Sequence, residues 1–151
     1  MDLPRSLKTE LFEPKGLYYF KSEHLSSDEP HYFILVEVDG KLFHMVVCTT
    51  KFKKRVAYHN LAKTDPATIV RIQPNPNLNK VKEECYVDCN TVFSMYTAET
   101  LQMKLDQGAL TFKGHITESE YYQVMNGIIK SNDVSRSTIA IIQKAFDSFN
   151  A

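Results

Sequence analysis

The sequence predicts an α+β fold: a small, strongly curled antiparallel sheet or partly open barrel, with helices attached late in the chain. Three observations lead to this prediction. Residues 16–96 contain short apolar runs typical of strands, Asp39-Gly40 joins two of these runs, and residues 97–151 change to helical spacing. The 151 residues are enough for one domain with its own core. We therefore expect a single domain, with the barrel at about 16–96 and the helical part at about 97–151.

Five runs rich in aromatic and β-branched residues are predicted to be strands. They lie at 16–20, 31–38, 41–50, 68–72 and 85–95. Because Asp-Gly is the strongest short-range signal for a hairpin, the second and third strands should pair antiparallel. In the fifth run, strict alternation would direct Cys85, Cys89 and Phe93 to one face of the sheet, and Asp88 and Asn90 to the other.

Hydroxyl side chains mark three helix starts. Thr97 can cap a helix that ends before Gly108, and Thr117 begins a capping box that Glu120 completes. Ser135 precedes the last helix. The last two helices carry apolar stripes at intervals of three or four residues, which we expect to pack on the sheet. The stripes consist of Tyr121, Val124, Met125, Ile128, Ile139, Ile142, Phe146 and Phe149.

Composition and known motifs exclude several classes of protein. Eighteen basic and eighteen acidic side chains cancel, which removes the simplest argument for a general nucleic-acid binder. No apolar run approaches the ~20 residues of a membrane span, and the first residues lack the pattern of a secretory signal, so we expect a cytoplasmic protein. The sequence has no glycine-rich phosphate loop, Gly-x-Ser-x-Gly elbow or paired metal-binding histidines. Nucleotide hydrolysis, α/β-type ester hydrolysis and zinc-dependent proteolysis are therefore disfavoured.

The three cysteines, Cys48, Cys85 and Cys89, cannot all pair within one chain, which favours a reducing compartment. His44 precedes Cys48 by four residues, and Cys85 precedes Cys89 by the same interval. On strands, such residues are ~13 Å apart, which is too far for one zinc ion to bridge. We expect no metal and no other cofactor, and we interpret the cysteines as buried strand residues.

A basic segment follows the third predicted strand. No Asp or Glu occurs between residues 41 and 63. The segment combines cations that suit phosphates with rings on which unpaired bases can stack. A solvated surface loop is the alternative interpretation. The candidate RNA contacts are Lys51, Lys53, Lys54, Arg55, Tyr58 and His59.

Polar side chains gather where the predicted strands end. Because the hairpin turn lies at the far end of the ladder, His31 should lie beside Thr49 and Thr50. Metal-free RNA cleavage needs a base for the 2′-hydroxyl, an acid for the leaving oxygen and donors for the charge on phosphorus. Those three side chains, together with Asp88 and Asn90, can supply these groups. A structural hydrogen-bonding role for His31 is the alternative.

The order of elements also points to a family. The segments that carry this pattern are the strand led by Gly16, then residues 30–36, 46–50, 86–90 and 128–131. The pattern resembles the PemK/MazF-type toxins. The resemblance implies an SH3-like barrel with a C-terminal helix, a homodimer, and metal-independent cleavage of single-stranded RNA that a cognate antitoxin blocks. Glu29 stands where the family commonly has a basic residue, so His31 and Lys51 would have to replace the missing arginines.

These observations predict a toxin-like endoribonuclease that cleaves single-stranded RNA without a metal. His31 would act as general acid or base, and Asp88 as its partner or as the alternative base. Thr49, Thr50 and Asn90 would donate hydrogen bonds to the phosphate. One alternative is a non-catalytic module that binds nucleic acid or protein on the same barrel. Another is a structural subunit whose aromatic-rich helices make the functional contact.

Overall fold

A computed structural model describes residues 12–25, 28–50 and 65–151 of the chain. Within these ranges the chain forms seven strands and three α-helices. The strands are β1 Gly16–Phe20, β2 His31–Asp39, β3 Leu42–Thr49, β4 Ile69–Ile72, β5 Cys85–Asp88, β6 Phe93–Thr97 and β7 Leu110–His115. The helices are α1 Ala98–Asp106, α2 Glu118–Ile129 and α3 Arg136–Phe149. None of the helices in these ranges is both long enough and apolar enough to span a bilayer.

The strands form one antiparallel sheet in the order β4-β5-β3-β2-β1-β7, and β6 also pairs with β3. The predicted α+β class and the late helices are confirmed. The sheet is neither closed nor strongly curled, so the predicted barrel is confirmed only in part. In the described part of the chain, one isolated bridge between Asn79 and Gly114 joins the connection after β4 to β7.

The β2–β3 hairpin is the centre of the sheet and has the predicted turn. Its ladder runs from Tyr32 paired with Cys48 to Asp39 paired with Leu42. Gly40 has a positive φ of +59°, which a tight hairpin turn requires. The two ends of β2 and β3 that lie farthest from this turn therefore meet at the same edge of the sheet.

The predicted fifth strand is in fact two strands, which corrects the alternation expected for it. β5 pairs with β3 through Val87 and Cys48, whereas β6 pairs with the opposite half of β3 through Phe93 and Met45. Between them, the carboxylate of Asp88 accepts a hydrogen bond from the Asn90 N–H at 3.0 Å and stabilises a turn. Because this turn interrupts the alternation, Phe93 does not share a core cluster with Cys85 and Cys89.

Strand β7 was not predicted, because it lies in the part of the chain expected to be helical. Its Leu110 and Phe112 pack in the core while Thr111 between them is exposed, which is the alternation of an edge strand. It pairs with β1, where Tyr19 lies opposite Thr111. β7 thereby brings the second half of the chain beside the strand that precedes the hairpin.

The sheet is buried on both faces, and each face has its own core cluster. Helices α2 and α3 cover one face, and their apolar stripes pack there as predicted, except for Ile139, which is half-buried outside the cluster. Tyr121 of α2 donates a hydrogen bond to the carbonyl oxygen of Val36 at 2.8 Å, and burial raises the pKa of Tyr121 to about 12. Leu101 of α1 joins the cluster of the other face. Within the described ranges both faces of the sheet are packed, so a cleft on this sheet is expected at the strand ends and not on a face.

The hydroxyl caps also lie where the sequence predicts them. Thr97 accepts a hydrogen bond from the Thr100 N–H, Thr117 forms its capping box with Glu120, and Ser135 caps α3. These caps fix the helix starts, and with them the turns that lead back to the sheet.

Candidate functional site

A cleft of about 260 Å³ opens at the end of the β2–β3 hairpin that lies farthest from its turn. Its wall comes from the starts and ends of strands and from the connection between β4 and β5. The wall residues are Tyr19, Glu29, Pro30, His31, Tyr32, Cys48, Thr49, Thr50, Lys82 and Glu83. The cleft brings together three of the sequence-predicted site residues, namely His31, Thr49 and Thr50.

Strand register explains why these three residues meet. Tyr32 pairs with Cys48, so the next position outward places His31 opposite Thr49. On the other side of β2, His31 pairs with Phe20, which is buried. Ladders on both sides thus fix the backbone that carries the imidazole. Alternation directs His31 and Thr49 to one face and Tyr32 and Thr50 to the other, so the cleft runs across the strand ends.

The His31 ring has one unusual nitrogen. Its Nδ1 is buried and has no hydrogen-bond partner among the described residues, although the residue as a whole is half-buried. A buried polar atom without a partner costs about 1–3 kcal/mol. Among the described residues, His44 Nε2 and Gln102 Oε1 are in the same position, so this feature counts for His31 only together with its place in the cleft. Because Nδ1 is shielded, Nε2 is the nitrogen that a bound molecule could reach.

Glu29, Lys82 and Glu83 give the cleft its other charges, and sequence reasoning missed Lys82 and Glu83 as site residues. These two residues follow β4 in the connection 73–84, whose Pro, Asn and Lys composition indicates only a loop. The connection is held against β7 by two backbone hydrogen bonds of 2.9 Å, from Lys80 N–H to Lys113 and from His115 N–H to Leu78. Lys82 approaches no carboxylate closely enough to form an ion pair within the described residues.

Cys48, which lines the cleft, takes part in a disulfide bond. Cys48 of β3 and Cys85 of β5 are bonded, with 5.8 Å between their Cα atoms, while Cys89 remains a buried free thiol. All three cysteines are buried, as predicted. The sequence analysis did not identify the bond between Cys48 and Cys85, because it compared spacing along each strand and not neighbours across the sheet. The pairing also removes the cysteine argument for a reducing compartment.

Two of the predicted site residues, Asp88 and Asn90, lie outside the cleft. The Asn90 amide donates to Thr68 Oγ1 at 2.9 Å and to Asp88 Oδ1 at 3.0 Å, and it accepts a hydrogen bond from the Ser131 hydroxyl at 2.7 Å. Asp88 and Asn90 are both buried, and neither contributes to the wall of the cleft. This network ties the β5 turn to the end of α2.

The candidate RNA contacts in the basic segment cannot be located in the same way. Lys51, Lys53, Lys54, Arg55, Tyr58 and His59 all lie outside the described residues. In the sequence they begin directly after Thr50, which lines the cleft. In the part of the chain that the structure describes, no three His, Cys, Asp or Glu side chains cluster as metal ligands would.

No protein-family model matches the chain, and no functionally curated protein matches it significantly.

Proposed function

We propose that the cleft binds single-stranded RNA and cleaves it without a metal ion, as a PemK/MazF-type endoribonuclease would. The observation that carries the proposal is the convergence of His31, Thr49 and Thr50 on one cleft, beside the cation of Lys82. An imidazole, two hydroxyls and an ammonium group are the types of side chain that metal-free phosphodiester cleavage requires.

In the proposed reaction His31 accepts a proton and Lys82 donates one. The 2′-oxygen of the substrate attacks phosphorus while His31 accepts its proton through Nε2, because Nδ1 is buried. The bond from phosphorus to the 5′-oxygen breaks, and that oxygen takes a proton from the ammonium group of Lys82. The products are a 2′,3′-cyclic phosphate and a 5′-hydroxyl. Histidine suits this role because its charge ordinarily changes between pH 5 and 8.

Hydrogen-bond donors and a cation on the cleft wall stabilise the negative charge of the phosphate in this proposal. The hydroxyls of Thr49 and Thr50 donate hydrogen bonds to the non-bridging oxygens, and Lys82 lowers the energy of the additional negative charge. Glu29 and Glu83 line the same cleft and take the orienting role that the sequence suggested for Asp88. In this proposal Asp88 and Asn90 stabilise the fold instead of contacting the phosphate.

The proposal keeps the other expectations that the family resemblance raised. It includes a sheet related to a partly open SH3-like barrel, a homodimer, a cognate antitoxin that occupies the cleft, and action in the cytoplasm. The basic segment from Lys51 to Arg55 would contact the RNA backbone, with Tyr58 and His59 beside the bases. Its proximity to Thr50 in the sequence supports this part of the proposal.

Cleavage of a mixed-sequence single-stranded RNA in excess chelator tests the proposal. Wild-type protein should cut the RNA, and His31→Ala should lower the rate by a factor of about 10² to 10⁴, the usual contribution of a general base. His24→Gln is the matched control, because His24 is exposed and does not line the cleft. Intact RNA with the wild type, or equal loss in both variants, would overturn the proposal.

A non-catalytic RNA-binding module is the second candidate. The observation that favours it is the placement of Asp88 and Asn90 in a buried network away from the cleft. A module of this kind would bind RNA with a strong salt dependence and leave it intact. The same assay therefore separates the two functions, provided that binding is measured beside cleavage.

A further inference from the structure

A pair of tyrosines lies on the rim of the cleft. The rings of Tyr19 and Tyr32 have centroids 4.8 Å apart and planes inclined by 44°. Both side chains are half-buried, and both contribute to the cleft wall. Helices α2 and α3 pack on the same face of the sheet, and Tyr32 packs in part against the core cluster beneath them, but both tyrosines retain some exposed surface near the strand ends. Partly exposed aromatic rings in the wall of a cleft can serve as a platform on which a base stacks.

Charged side chains of both signs lie near the two rings. Burial raises the pKa of Tyr32, and the nearby Glu83 carboxylate adds to this effect. Lys113 of β7 places its Nζ 5.6 Å from the centroid of the Tyr19 ring, which is a cation–π contact. Lys82 lies in the wall of the cleft, together with Glu29 and Glu83. In the described ranges, no carboxylate forms an ion pair with Lys113. A nucleotide on the tyrosine pair would thus have an ammonium group within reach of its phosphate.

Backbone contacts hold these groups in place. Tyr19 pairs with Tyr32 across β1 and β2, and with Thr111 across β1 and β7. The Lys113 carbonyl accepts the hydrogen bond from Lys80 that anchors the connection carrying Lys82. The platform and the cleft are therefore parts of the same ladder, and their separation is fixed by the sheet.

We propose that Tyr19 and Tyr32, flanked by Lys113, form a subsite on which a base of single-stranded RNA stacks, next to the phosphate held in the cleft. This inference rests on the proposed function, since it assumes that the cleft takes RNA. It adds that the neighbouring nucleotide is recognised through the face of its base. Recognition of this kind tolerates different bases but requires one to be present.

The test uses the absence of tryptophan from the chain. Tyr19→Trp introduces a single indole at the platform, whose fluorescence a stacked base should quench. The probe is a 2′-O-methylated oligoribonucleotide, which cannot be cleaved because its 2′-oxygen has no proton. A second oligonucleotide of the same length carries abasic sites. We expect quenching by the first and, from the usual strength of stacking, about tenfold weaker binding of the second.

Affinity measurements complete the test. Tyr19→Leu should weaken binding of the methylated oligonucleotide about tenfold, whereas Tyr122→Leu, which alters an exposed tyrosine of α2 away from the cleft, should not. Equal affinity for base-bearing and abasic probes, unchanged affinity in Tyr19→Leu, or no binding at all would overturn the subsite. If unmodified RNA stays intact while stacking is observed, cleavage fails and the subsite stands. If RNA is cleaved but no stacking is observed, the cleavage proposal stands and the subsite is overturned.

Discussion

Replacing Gly114 by alanine tests how the connection 73–84 is held against β7. Gly114 has a φ of +97°, and a Cβ atom there would lie 2.1 Å from the Leu78 carbonyl oxygen and 2.6 Å from the Asn79 Cα atom. Both contacts are with backbone atoms, so no flexible side chain can move aside. We expect the connection to separate from β7, which would shift Lys82 and Glu83 at the cleft.

Two contributions set the size of the effect. The left-handed conformation costs a non-glycine residue about 1–2 kcal/mol. Relief of the overlap breaks the two backbone hydrogen bonds that anchor the connection, Lys80 to Lys113 and His115 to Leu78, and each contributes about 0.5–1.5 kcal/mol. The free energy of unfolding should therefore fall by about 2–5 kcal/mol. For a chain of this size, the melting temperature would fall by roughly 4–20 °C.

Gly108→Ala is the matched control for this variant. Gly108 also has a positive φ, +73°, but a Cβ atom there would meet no atom within 4 Å. It should lose only the conformational contribution, about 1–2 kcal/mol. Urea unfolding followed by circular dichroism measures both losses. Equal losses in the two variants, or a Gly114→Ala protein as stable as the wild type, would refute the reasoning.

Two further predictions concern buried polar groups. Burial lowers the pKa of His44, whose Nδ1 lies 2.7 Å from the Ser94 hydroxyl, so the unfolded chain binds this proton more readily. The contribution of His44 to the free energy of unfolding should therefore be highest above about pH 6.5 and fall as the pH drops and the unfolded chain takes up this proton. Urea midpoints at pH 7 and 5.5 should differ more in the wild type than in His44→Phe. An equal difference in the two proteins would contradict this. Asn90→Ala removes three buried hydrogen bonds and should cost about 2–4 kcal/mol in urea unfolding without slowing cleavage by the folded protein. A slower rate at unchanged stability would instead place Asn90 in the site.

The features that sequence reasoning predicts are those encoded locally. Asp39-Gly40 identifies the hairpin, and a hairpin of known turn fixes which ends of its strands meet, so the sequence is enough to predict that His31 lies near Thr49. The exact register does not follow from the turn, because an irregularity between Leu35 and Glu37 shifts the pairing by one residue. The helix starts are also encoded locally, because a capping side chain bonds to a backbone group three residues away.

The features that sequence reasoning misses depend on contacts between distant segments. The run 85–95 is rich in apolar residues, and the turn that divides it becomes evident only when β5 and β6 pair with different halves of β3. The bond between Cys48 and Cys85 has the same origin, since the two residues meet through the sheet and not along a strand. Lys82 reaches the cleft because its segment crosses to β7, and nothing in the composition of the segment indicates this path.

The ends of the RNA fragments test the central claim most directly. Wild-type protein is incubated with single-stranded RNA in excess chelator, and the fragments are examined by mass spectrometry. Attack by the 2′-oxygen, assisted by His31, predicts fragments that carry a 2′,3′-cyclic phosphate paired with fragments that carry a 5′-hydroxyl. These fragments should be nearly absent with His31→Ala and present with His24→Gln. Intact RNA, 5′-phosphate ends, or the same fragments from His31→Ala would contradict the proposed chemistry.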